Sequence, residues 1–174
     1  MHSLLLWLQN VPFVVWVAES DSIWGFAFAL FIHAVGMGLT AGIAFVVCLR
    51  LLGVAKEIPV SSLRGLFSFF WFGFFINLFT GVVLFGTDAT NIARAPSLYI
   101  KLLLLAFGLF TTIRLRRFID SEYSDSAVPP NVRNTAFVCI VVWLGVITAG
   151  RLIAYEVESI PAATNGAGER VLQS

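Results

Sequence analysis

Four stretches of this chain are apolar at nearly every position, and the charged residues gather between them. The first runs over residues 23–49 and stops at Arg50; the second covers 65–86 and stops at Asp88. The third covers 98–113 and stops at the Arg114, Arg116, Arg117 cluster; the fourth covers 135–155 and stops at Glu156 and Glu158. A hydrocarbon layer about 30 Å thick needs roughly 20 apolar residues of helix. The third run is the shortest and is expected to use Lys101 by snorkelling. Backbone groups in lipid must bond within their own segment, which makes these runs helices. A β-barrel would alternate apolar and polar residues over short strands, and these runs are apolar all round. The predicted fold is an all-α membrane protein, a four-transmembrane-helix bundle over residues 21–158.

Before the first run, "MHSLLLWLQNVPFVVWVAES" has no Lys or Arg ahead of its apolar part, and Asn10 and Pro12 interrupt it. A secretory signal wants a basic start and an unbroken core, so this stretch is expected to be retained. Leu4, Leu5, Leu8 and Val11 share one helical face, with Trp7 beside them. That pattern predicts an N-terminal interfacial amphipathic helix over 1–20. The connections are "RLLGVAKEIPVSSLR", "TDATNIARAPS" and "RLRRFIDSEYSDSAVPPNVRN". Pro96 falls near the start of the third helix, where proline is favoured. Residues 159–174, small and polar, read as a disordered tail.

Composition sharpens this picture. Hydrophobic residues make up 59% and charged residues 12%, where soluble domains carry about 25% charge. The chain lacks the charge a water-facing surface requires, so its first partner is the lipid bilayer. A net charge of +1 without a basic stripe excludes a nucleic-acid partner. Arg50, Lys56, Arg64, Arg114, Arg116, Arg117 and Arg133 lie at one end of the bundle, and Arg94, Lys101, Arg151 and Arg170 at the other. The positive-inside rule then puts both termini outside, in the periplasm of a bacterial inner membrane that the chain crosses as a multi-pass protein. Cys48 and Cys139, the two cysteines, fall near the cytoplasmic ends of their spans, where a disulfide is disfavoured.

Chemistry inside the spans is sparse. His33 lies about 15 Å into the first span, counted at about 1.5 Å per residue. An ionisable residue at that depth is costly and points to function, and it is expected to be neutral and hydrogen-bonded. Met37 shares its face at i+4. Imidazole with thioether suits copper(I), and imidazole alone suits haem iron. An inter-helix hydrogen bond that only fixes packing competes with both. Asn77 and Thr80 lie at the depth of His33 and form a polar interior. Ala34, Gly38 and Gly42 make a small-xxx-small seam, expected to face the bundle interior, with a dimer contact as the alternative. Asp88, Lys101, Arg151 and Tyr155 gather at the outer end as a polar mouth, with Asp88, Glu19 or Glu156 expected to pair with the cations. Snorkelling to headgroups is the alternative for those cations. The Arg114, Arg116, Arg117 cluster reads as a topology anchor beside anionic lipid. Serine-hydrolase, zinc-protease and phosphate-loop motifs are absent.

A histidine midway along the first span, then "RLLG", "FTGVVLFGTDAT", P-x-x-x-x-K-L-L-L-L and "WLGVITAGRLIAY", resembles a family of small, uncharacterised bacterial four-span inner-membrane proteins with copper-resistance-D-like topology. The matching positions are His33, Arg50, Gly81, Asp88, Lys101, Gly150, Arg151 and Tyr155. Members often carry another histidine near the end of the third span; here that region reads "TTIRLRRF", which weakens a two-ligand metal or haem site. The resemblance implies the four-span plan and, by analogy, copper. The expected function is a non-catalytic component that binds or passes a small solute or metal. The alternatives are a structural or assembly subunit of a larger membrane complex or homo-oligomer, and a haem b electron carrier.

Overall fold

The structure, a computed structural model, describes residues 2–121 and 128–159. The elements are α1 (His2–Gln9), α2 (Pro12–Glu19), α3 (Phe26–Leu52), a 3-10 turn (Val60–Gly65), α4 (Leu66–Thr87), α5 (Ala89–Ile92), α6 (Pro96–Ile119) and α7 (Pro130–Ser159). Apart from Ser159, which ends α7, the tail read over 159–174 lies outside the described residues.

Among the described residues, four helices are long and apolar enough to cross a membrane: α3, α4 with its preceding turn, α6 and α7. Their outward faces carry Phe69, Phe72, Phe75 and Phe79 on α4, Leu103 and Phe110 on α6, and Phe137 and Leu144 on α7, all exposed. In water each such side chain would forfeit about 25 cal/mol per Å² of apolar surface; against lipid that penalty vanishes. The protein is an integral, multi-span, all-helical membrane protein.

The helix ends depart from the hydropathy pattern in one instructive place. α6 continues past Arg114, Arg116 and Arg117 to Ile119, six residues beyond the apolar run. Arginine is a good helix former, and cations suit a helix C-terminus. Arg116 also pairs with Asp120 at 3.5 Å and lies 5.6 Å from the Phe67 ring centroid. The arginines end the lipid-soluble part of this helix without ending the helix.

The N-terminal segment forms two short helices rather than one. The Asn10 side-chain amide donates to the Leu6 carbonyl at 2.7 Å where α1 ends, and Pro12 occupies the first turn of α2, the position that tolerates proline. Val14 and Val17 of α2 are buried. A Cβ placed on Gly86 would come within 3.0 Å of Val14 Cγ1, so α2 docks on α4. Leu4 and Trp7 of α1 stay exposed.

Packing is uneven along the bundle. The hydrophobic core comes from the end bearing the first and third long connections: Ala44, Val47 and Leu51 of α3, Phe67 and Phe70 of α4, Leu115 and Ile119 of α6, and Cys139, Trp143 and Val146 of α7. Trp143 is fully buried. Its Nε1 donates to Thr112 Oγ1 at 3.1 Å, and its ring meets Phe70 edge-on with centroids 6.0 Å apart. Arg64 bolts this end shut, donating from Nε to the Ile119 carbonyl at 3.1 Å. Toward the opposite end the four long helices leave a cavity between them, within the span.

α3 and α4 cross at glycines. A Cβ on Gly73 would lie 2.6 Å from Leu39 Cβ and 3.1 Å from the Gly36 carbonyl; one on Gly36 would lie 2.8 Å from the Asn77 nitrogen. The seam Ala34, Gly38, Gly42 does not face the interior as expected. Ala34 and Gly38 are exposed, and a Cβ on Gly38 or Gly42 would meet nothing within 4 Å. The helix turns Gly36 and Thr40 inward, and the neighbouring seam goes to the bundle's outer surface.

The two cysteines come together from α3 and α7. Cys48 and Cys139 are buried and free and belong to the same core cluster, and Thr112 Oγ1 lies 3.5 Å from Cys139 Sγ. Iodine treatment of membranes, which takes two hydrogens from the thiols and leaves two iodides, is expected to give a linked Cys48–Cys139 peptide in digests. Cys48→Ser should abolish it. Recovery of both cysteines unlinked after complete thiol oxidation would contradict the α3–α7 packing.

Candidate functional site

The cavity, about 390 Å³, is walled by α3, α4, α6 and α7, with Ile92 of α5 at its edge. Its polar lining is His33, Thr87, Asp88 and Lys101; the rest is apolar, including Phe26, Phe85 and Ile153. Volumes of this order hold small ligands.

His33 is fastened to α4. Thr80 Oγ1 donates its one hydrogen to the Ile76 carbonyl at 2.7 Å, so toward His33 Nδ1, at 3.0 Å, it is the acceptor. The network therefore assigns the hydrogen to Nδ1. Asn77 Nδ2 donates to the His33 backbone carbonyl at 2.9 Å and approaches Nε2 at 3.5 Å, the long limit for such a bond. Bonds of this kind between membrane helices contribute about 0.6 kcal/mol each. Gly81 makes room for the ring, since a Cβ there would sit 3.2 Å from His33 Cε1.

Lys101 is accommodated in a parallel way on the other wall. A Cβ on Gly150 of α7 would lie 3.5 Å from Lys101 Nζ and 3.6 Å from Cε. The lysine stem thus lies along a glycine face and carries its ammonium to the cavity. Neither ion pair among the described residues involves it. Asp88, on the same cavity, turns both carboxylate oxygens to Asn91 Nδ2 at 3.0 and 3.1 Å. Glu156 accepts from the Ser97 backbone N–H at 3.1 Å and from Ser97 Oγ at 2.5 Å. An acceptor carboxylate at the first turn of α6 satisfies a helix N-terminus and ties α7 to α6 beside the cavity.

The structure thus brings together His33, Asn77 and Thr80, and sets Asp88 and Lys101 on one cavity. Arg151 and Tyr155 are exposed and do not line it. Glu156, one residue on, faces inward, so its neighbour Tyr155 faces out. Glu19 is exposed at the end of α2. Met37 packs against the hydrophobic core and is absent from the cavity lining. In the sequence Gly81 and Gly150 stand out only as motif positions. The usable signal was a glycine beside each polar residue's depth on the facing helix.

Compared with family models, curated proteins and solved structures, the chain matches none of them. The site's chemistry therefore rests on its own atoms. No metal-binding site is evident among the described residues. His33 Nδ1 is engaged by Thr80 and Nε2 is approached by Asn77, Met37 is turned away, and the described residues contain no group of three or more His, Cys, Asp or Glu able to hold a metal.

Proposed function

We propose that this protein is a non-catalytic binding component of a bacterial inner membrane, with its termini in the periplasm, that takes up a small anionic solute with an apolar body. One observation carries the reading: the Lys101 ammonium, laid over Gly150, reaches an otherwise largely apolar cavity without an ion-pair partner among the described residues. A lone cation inside a membrane span is expensive, and a carboxylate from the solute would neutralise it. The apolar wall of Phe26, Leu30, Phe85 and Ile153 suits a short hydrocarbon chain, and the His33–Thr80–Asn77 network serves as a rigid floor. The copper-resistance-D likeness enters as a shared four-span plan, and fold alone does not carry function.

Laurate and its uncharged methyl ester test this by native mass spectrometry of protein in micelles. Laurate is expected to be retained and the ester not. Lys101→Met should weaken laurate retention by roughly tenfold or more, the worth of a charge-assisted hydrogen bond. Equal retention of acid and ester, or no change in Lys101→Met, would sink the reading.

A second reading, a subunit docked in a homo-oligomer or larger complex, draws on the outward seam of Ala34, Gly38 and Gly42. Small residues let a partner helix approach closely. Gly38→Leu would then shift the oligomeric state while leaving laurate retention intact.

A further inference from the structure

The end opposite the proposed solute cavity carries a second cavity of about 730 Å³. We infer that it is a binding site for a phosphate-bearing headgroup, supplied by an anionic phospholipid of the adjoining leaflet. Its lining includes Arg50, Lys56 and Arg133 against one carboxylate, Glu57, a surplus that matches one or two phosphate charges.

The three cations come from three segments and are held by the local fold. Arg50, on the last turns of α3, donates from Nε to the Ile58 carbonyl at 2.5 Å and from Nη2 to the Lys56 carbonyl at 3.0 Å. Its guanidinium is thereby fixed with a further edge to offer. The chain reverses at Gly53, which has φ +105, a left-handed conformation that glycine adopts without penalty. Lys56 then folds back, its Cε 3.2 Å from where a Gly53 Cβ would be. Arg133, from the first turn of α7, reaches the Leu52 carbonyl at 3.4 Å. Guanidinium groups bind phosphate through paired N–H donors, and fixing them beforehand lowers the entropic cost of binding.

Two features favour a lipid over a soluble phosphoester. The cavity has an apolar side, with Leu51, Leu52, Val60 and Val128 in its lining. A smaller cavity of about 330 Å³ shares Leu52 and Arg133 and continues to Phe137, an exposed aromatic on α7. A headgroup in the larger space would send its chain along the smaller one to the lipid-facing surface.

Native mass spectrometry of the full chain released from nanodiscs tests this with phosphatidylglycerol, phosphatidic acid and phosphatidylcholine, and with inorganic phosphate added in solution. Anionic lipid is expected to be retained over phosphatidylcholine. The double variant Arg133→Gln, Lys56→Gln should lose retention roughly tenfold or more, since each juxtamembrane cation contributes measurably to anionic-lipid binding. Arg117→Gln, an exposed arginine of the same end, should change it little. Displacement of the lipid by inorganic phosphate would support the phosphate site with a soluble source. Unchanged retention in the double variant, or an equal loss in Arg117→Gln, would overturn it as ordinary surface attraction. Should the double variant fail to fold, Lys56→Gln alone, in an exposed loop, is expected to lose retention severalfold, and no loss there would also overturn it.

Discussion

Gly73→Ala is expected to damage this protein more than any other single methyl added to its helices. The new Cβ would sit 2.6 Å from Leu39 Cβ and 3.1 Å from both the Gly36 carbonyl and the Thr40 nitrogen. None of these is the free end of a side chain, so relief requires α3 and α4 to move apart. Overpacking of a tight core costs about 1–3 kcal/mol even where side chains can shift, and here two backbones must. Separation would also lengthen the bonds from α4 to His33, since Asn77 and Thr80 lie one and two turns beyond Gly73. The measurement is thermal unfolding of purified protein beside its monodisperse yield. Gly73→Ala should lower the midpoint by about 5 °C or more, by the usual relation of stability to midpoint, and Gly36→Ala should do likewise. Gly38→Ala should match the parent, because its Cβ would meet nothing within 4 Å. The reverse order of effects would mean that α3 is rotated and the other seam faces inward.

That pair of glycines also marks what the sequence could and could not reveal. Length and apolarity sufficed for the four spans, because lipid imposes a requirement that any apolar run of about 20 residues meets. Depth was legible too: counting residues from the span ends puts Asn77 and Thr80 level with His33. Facing was not. Where a helix is apolar all round, periodicity no longer distinguishes inside from outside. Gly36 and Gly38 differ by two residues, about 200° of helix rotation at 3.6 residues per turn, and nothing in the pattern of α3 chose between them. The same ambiguity separates Glu156, which caps α6 through Ser97, from Arg151 and Tyr155, which face outward. Lys101 over Gly150 depends on the register of α6 against α7, which is set by the closed end.

At that closed end Trp143→Ala is expected to have the largest effect on stability among the core side chains. The ring joins three helices. It packs edge-on to Phe70 of α4, lies within 3.4 Å of where a Gly108 Cβ would be on α6, and donates to Thr112. Removing a fully buried tryptophan costs about 3–5 kcal/mol through lost contacts and the void left behind. Trp143→Phe keeps most of the ring and forfeits the bond to Thr112, a loss of about 1 kcal/mol. A second readout separates loosening of this end from general instability. Cys48 and Cys139 are 1% and 0% exposed, and Thr112 contacts both the Trp143 and the Cys139 side chains. In the parent neither thiol should react in folded protein with a membrane-permeant maleimide, a reagent too bulky for the space that admits molecular iodine. Trp143→Ala should expose both at temperatures below its own unfolding midpoint, while Trp143→Phe keeps them protected. If Trp143→Ala melts like the parent with its thiols still shielded, the closed end is held by something other than this ring, and the asymmetry that leaves the cavity open at one end needs another cause.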